Sequence, residues 1–168
     1  MTILDKNEDV PRLVRADQTE RVGGGELPWA VELLLDADRS GGRLSCQRSI
    51  LAPGADGAPP HRHAKCAEWF YLISGRALFL AEDQVIEAGP GDSVYIPPGS
   101  VHAFKAVEGK EADLVGVFAP AVNRFGYYRL MADFRAGRVP HSELEAAQER
   151  YDNFFATSAV WDARTSAG

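Results

Sequence analysis

The sequence predicts a mainly β protein, a sandwich or small barrel with an N-terminal arm and two C-terminal α-helices. Three observations lead there. Between residues 30 and 118 the chain carries a succession of short apolar runs rich in Val, Ile, Leu, Phe and Tyr. Glycine, proline or acidic residues bound each run, and no helical period lies between them. Helical spacing begins only after the last run, so strands and helices are segregated rather than alternating.

Residues 1–28 mix charges with little periodicity and end in GGGELP, which reads as an arm and linker. Strands are expected at 30–36, 44–51, 68–73, 76–81, 84–87, 93–96, 102–107 and 112–118, together one β-domain over residues 29–120. Beyond it, Tyr127, Leu130, Met131 and Phe134 follow the i, i+3, i+4, i+7 stripe of an amphipathic helix, with Gly137 as its stop. A second helix is expected from Ser142, with Glu145 completing a capping box after Pro140. Its apolar stripe takes in Leu144, Ala147, Tyr151 and Phe155. The extension over 121–168 is expected to pack on the barrel, as a pad on the outer sheet or, alternatively, as a lid over the barrel mouth.

With 168 residues, 45% hydrophobic and 25% charged, the chain suits one soluble domain that buries a core without disulfides. Lys and Arg number 18 against 24 Asp and Glu, a net charge of −6, which argues against nucleic-acid binding. Cys46 and Cys66 form no CxxC pair. The opening MTILDKNEDVPRLVRADQ lacks the apolar stretch of a signal peptide or membrane span. A reduced, cytoplasmic protein is the expectation.

Four histidines occur in the chain, and His61 and His63 stand one residue apart in HRH. On an extended chain side chains at i and i+2 share a face, so both imidazoles point one way and Arg62 the other. Glu68 opens the next strand after the turn AKCA. With its register continued, Phe70 and Leu72 share its face, while Trp69, Tyr71 and Ile73 take the opposite one. Imidazole with carboxylate suits Fe, Mn, Ni, Co, Cu or Zn rather than Ca or Mg.

The stretch GDSVYIPPGSVHAF supplies a third imidazole, His102, after a turn stiffened by Pro97, Pro98 and Gly99. Ligands drawn from separate strands need such turns, because metal–ligand distances tolerate only about 0.2 Å. His141, alone near the start of the last helix, reads as a surface residue, and Cys66 as a small residue of its turn. Phe70, Leu72, Phe79 and Phe104 are candidate substrate-binding residues, a position that plain core aromatics also occupy.

These segments resemble the two motifs of the cupin superfamily. His61, His63, Glu68 and Gly75 match H-x-H-x(3,4)-E-x(6)-G, and Gly91, Pro97, Gly99 and His102 match G-x(5)-P-x-G-x(2)-H. The glycine usual six residues before the first His is Ala55 here, and the final Asn of the second motif is Ala106. The resemblance spans roughly residues 40–118. It implies a double-stranded β-helix, or jelly-roll barrel, holding one divalent transition metal per chain on His61, His63, Glu68 and His102. One or two coordination positions would stay open to water, dioxygen or substrate, and Glu68 would double as the catalytic base.

Within the superfamily the chain looks most like quercetin 2,3-dioxygenase-like single cupins, through the His-x-His-x4-Glu spacing, the AFKAV strand and the passage FAPAVNRFGYYRLM. That likeness implies oxygenative cleavage of a flavonol-like or other enolisable aromatic compound. A metal-dependent polyketide cyclase or isomerase, and a non-catalytic small-molecule-binding module, use the same site and stand as alternatives. Small cupins pair through sheet edges or swapped arms, so a homodimer is expected, with residues 1–28 as a candidate swapped arm.

Overall fold

The structure is a computed structural model that describes residues 11–166. Two antiparallel sheets face one another. The first runs β1 (Glu20–Gly23), β2 (Trp29–Leu35), β3 (Ser45–Leu51), β10 (Ala112–Ala119), β5 (Ala67–Gly75) and β8 (Ser93–Ile96). The second runs β11 (Phe154–Phe155), β4 (Asp56–Arg62), β9 (His102–Ala106), β6 (Ala77–Ala81) and β7 (Gln84–Ala88). Helices α1 (Phe125–Arg135), α2 (His141–Ala146), α3 (Gln148–Tyr151) and α4 (Ala159–Thr165) follow or flank β11. This is the jelly-roll arrangement, and every strand expected from the sequence is present.

Period-two patterning builds the core. Along β5, Glu68, Phe70 and Leu72 are buried while Trp69, Tyr71 and Ile73 are exposed. Along β10, Ala112, Leu114 and Phe118 turn inward; Ala112 and Leu114 join Phe79, Phe104 and Ala106 of the second sheet in one core, and Phe118 meets the His63 ring. On the outer face of β3, Arg48 bridges Asp113 of β10 at 2.6 Å and Glu32 of β2 at 3.2 Å. Hydrophobic burial and cross-strand pairing thus fix the same register.

Three strands lie outside the expected set. Residues 20–23 of the expected arm form β1, paired with β2 from Gly23 opposite Ala30 to Glu20 opposite Leu33. The first ten residues of that arm lie outside the described residues. Strand β4 contains Pro59 and Pro60, which argue against a central strand in sequence terms. They are tolerated because β11 pairs only with His61 and Arg62, leaving the prolines on an edge, and because the β4–β9 register shifts twice.

The helical extension differs from expectation beyond α1. Helix α2 begins at His141 with Pro140 at its N-cap and no side-chain cap, so the Ser142–Glu145 box does not form. The stripe to Phe155 is broken: Asp152 takes a left-handed conformation after α3, and Phe154 and Phe155 join the sheet. Helix α4 is the outer pad, its Trp161 packed on Leu78, Leu80 and Ala103. Helix α1 instead lies over the mouth between the sheets, where Phe125, Tyr128, Met131 and Ala132 pack on the main core. No helix among the described residues is long and apolar enough to cross a membrane.

Candidate metal centre

His61 and His102 are cross-strand partners on β4 and β9, with ring centroids 4.2 Å apart. His63 follows just past the end of β4, 4.8 Å and 5.1 Å from those two rings. The turn between β8 and β9 is pinned to this stretch, because Gly99 donates its N–H to the His63 carbonyl at 2.7 Å. Gly99 has φ of 87°, a region glycine enters without strain. Glu68 reaches across from the opposite sheet, its Oε2 lying 3.0 Å from His102 Nε2 and 3.2 Å from His63 Nε2. The ligand atoms of all four residues lie within 4.8 Å of one another, and all four side chains are buried.

The outer edge of each imidazole is spoken for. Nδ1 of His61 contacts the Pro59 carbonyl at 2.8 Å, Nδ1 of His63 the Asp152 carbonyl at 2.5 Å, and Nδ1 of His102 the Ser100 carbonyl at 3.0 Å. A carbonyl only accepts, so each Nδ1 carries the proton, and each neutral ring turns the lone pair of Nε2 inward. Lone pairs and a carboxylate then converge with nothing to donate between them. Either the rings become charged or a cation joins them. Burial disfavours the first: it pushes the His61 and His63 imidazoles below their ordinary range, and the neighbouring histidines push His61 further. Burial alone would raise Glu68; positive charge at the facing edges of His102 and His63 is what holds the carboxyl below the usual range, and with those edges bare only a cation supplies it. The donor set therefore fits a divalent transition metal.

The C-terminal extension completes this arrangement, which sequence reading did not foresee. Besides its carbonyl on His63, Asp152 accepts from the backbone N–H of Ala64 at 3.0 Å and of Lys65 at 2.9 Å. The Cys66 thiol lies 3.7 Å from the same carboxylate, and burial together with that charge pushes it up to about 12. Asp152 clamps the turn between His63 and Glu68, and Cys66 is the small buried residue expected there. His141 is exposed beside Glu145, away from the cluster.

His61 and Glu68 open into a cavity of about 60 Å³ between the sheets, lined further by Trp29, Val31, Leu51 and Phe104. Gln47, Ser49, Arg124 and Asn153 add polar groups, and Tyr127, Tyr128, Met131 and Arg135 of α1 close it. Of the four aromatic and aliphatic candidates, only Phe104 lines this space. Phe70, Leu72 and Phe79 are stacked deeper, with ring centroids 5.2 Å between Phe70 and each of Phe79 and Phe104.

Comparison with known proteins agrees with this geometry. Residues 47–118 match the family model described as a cupin domain. The chain is 26% identical over 98 residues to quercetin 2,3-dioxygenase of Bacillus subtilis, which covers 58% of this chain and only 28% of that protein. An RmlC-like cupin from Shewanella frigidimarina superposes with TM-score 0.56 at 19% identity, covering 68% of this chain and 95% of the other. The polyketide cyclase RemF from Streptomyces resistomycificus gives TM-score 0.54 at 20% identity, covering 66% and 80%. At these identities the structural likeness is one of fold.

Proposed function

As a member of the cupin superfamily, this chain is, we propose, a metal-dependent enzyme acting on a small enolisable substrate, with dioxygen as co-substrate. One observation carries the metal: three imidazoles fixed by backbone carbonyls turn bare Nε2 atoms toward a buried carboxylate. His61, His63, Glu68 and His102 would hold the ion, which would polarise a substrate oxygen or bring dioxygen beside it. Among the described residues Glu68 is the only carboxylate lining the cavity, and so the proposed acceptor for a proton on carbon next to a carbonyl. A metal ion beside it would keep it ionised at neutral pH, and detachment from that ion would raise its basicity. Phe104 and Met131 supply the apolar walls, and α1 excludes bulk water.

The partial likeness to quercetin 2,3-dioxygenase supports the oxygenase reading. The cavity size favours a substrate smaller than a flavonol while α1 is in place. A cyclase or isomerase reading rests on Glu68, since proton transfer at one carboxylate needs no oxidant. Elemental analysis of the purified protein and turnover of candidate substrates in air and under argon separate these. A metal-dependent reaction that stops under argon is the expected result. Persistence under argon selects the cyclase or isomerase, and failure to retain any transition metal removes the proposal. The proposal includes a homodimer, for which the exposed apolar face of Trp69, Tyr71, Ile73 and the edge-strand residue Tyr95 supplies a surface.

A further inference from the structure

The cavity beside the metal centre contains more positive charge than its known parts can use. Arg124, 3% exposed, lines it. Its guanidinium is held firmly: Nη1 donates to the Tyr151 carbonyl at 2.8 Å and Nη2 to Asn153 Oδ1 at 3.2 Å. The rings of Phe118 and Tyr127 lie against it at 4.6 Å and 4.7 Å. The same Phe118 ring touches His63 at 5.2 Å, so the guanidinium stands one ring away from the metal centre. Yet Arg124 forms no ion pair with a carboxylate among the described residues.

A buried cation with no carboxylate at hydrogen-bond distance, balanced by Glu68 only from across the cavity, is costly, and a buried N–H without an acceptor adds to that cost. Among the described residues, three buried side-chain nitrogens have no hydrogen-bond partner: Arg124 Nε, Asn153 Nδ2 and Trp29 Nε1. All three residues line this one cavity. All three atoms are donors, so what they lack is an acceptor. A second guanidinium, Arg135, lies over the Trp29 ring at 4.8 Å and lines the same space, where Glu68 is the sole acid among the described residues.

We propose that Arg124 and Asn153 form a carboxylate-binding subsite, so that the substrate is a small carboxylic acid. Its anionic end rests on Arg124 and Asn153 while an enolisable oxygen faces Glu68 and the imidazoles. The deduction rests on the metal reading only for the second half of that statement. A carboxylate fits better than a phosphate for two reasons. The cavity is small, and the free donors are single N–H groups on separate side chains rather than a cluster sufficient for a dianion's oxygens.

The test compares two molecules of nearly equal shape, acetoacetate and pentane-2,4-dione, which exchange a carboxylate oxygen for a methyl group. Both are titrated calorimetrically into the full-length protein, whose metal content is measured alongside. Acetoacetate is expected to bind tighter by about tenfold or more, the scale of one charge-assisted hydrogen bond. Arg124→Gln should erase that preference with metal content unchanged, and Arg124→Lys should keep part of it. Asn153→Asp offers a second route should Arg124→Gln misfold, because an internal carboxylate beside the guanidinium should also remove the preference. Equal affinity for the two probes in the wild type, or a preference surviving in Arg124→Gln, overturns the subsite. Displacement of acetoacetate by inorganic phosphate more readily than by acetate overturns the carboxylate assignment. Full metal content with no acetoacetate binding sinks the subsite and spares the metal centre. A clear preference in protein that holds no metal does the reverse.

Discussion

Each histidine of the candidate metal cluster is set twice, once by the sequence pattern and once by a backbone contact. The alternation of His61, Arg62 and His63 places two imidazoles on one face, and that was legible from spacing alone. The carbonyls of Pro59, Asp152 and Ser100 that fix their tautomers were not, because a backbone acceptor has no residue signature. His61→Ala or His102→Ala should lose at least about nine-tenths of the bound metal by elemental analysis while the β-sheet circular dichroism stays intact. The motif glycines should separate by environment. A Cβ at Gly75, with φ of 77°, would stand 2.0 Å from the Glu111 carbonyl oxygen, whereas Gly91 and Gly99 have open space there. Gly75→Ala should therefore lower stability well beyond the about 1 kcal/mol expected for left-handed strain alone, as read from denaturant midpoints of the three variants. Alternation also told which face Phe70 and Leu72 occupy, but not their depth along the barrel, and depth is what separates them from Phe104.

Among the elements, the β-strands were readable and the C-terminal extension only in part. Each strand carries its own period, while the break after α3 depends on a distant partner. Asp152 leaves the helical conformation because its carboxylate satisfies the N–H groups of Ala64 and Lys65, far away in sequence. Helix α1 is likewise tied near its middle and at its C-terminal end by contacts that sequence does not announce. Arg129 makes a paired bond to Glu20 of β1 at 2.8 Å and 2.6 Å, and Arg135 donates to the Gly57 carbonyl at 2.8 Å. The two departures from the cupin motifs also meet here as neighbours, the Ala106 N–H bonding the Ala55 carbonyl at 2.9 Å. The extension is thus part of the site. Asp152→Ala retains all four ligands, yet it frees the 64–66 turn, and metal affinity measured by chelator competition should fall about 10- to 100-fold. The Cys66 thiol, at a pKa of about 12 in the native protein, should become far more reactive toward an aromatic disulfide reagent in that variant.

For the whole molecule, the cluster makes stability depend on pH in a direction that follows from its burial. His61 and His63 titrate below the ordinary histidine value of 6.5 in the folded chain. Below 6.5 the unfolded chain binds protons that the native one refuses, so stability rises with pH through that window and falls on acidification. Glu68 acts in the same sense further down. Held below the reference value of 4.5 by positive charge at the facing Nε2 edges, proton or metal, its native carboxyl gives a contribution that is complete above 4.5 and lost as pH falls through the native value. The slopes add, each group giving at most about 1.4 kcal/mol per pH unit. A metal ion steepens the dependence, since it binds only the deprotonated ligands. Thermal melts of the metal-free protein should therefore shift to lower temperature between pH 7.5 and 5, and those of the metal-loaded protein should shift more. A melting temperature that holds steady or rises on acidification would mean that the imidazoles are charged in the folded state. The inward-facing lone pairs from which the metal centre was deduced would then not exist.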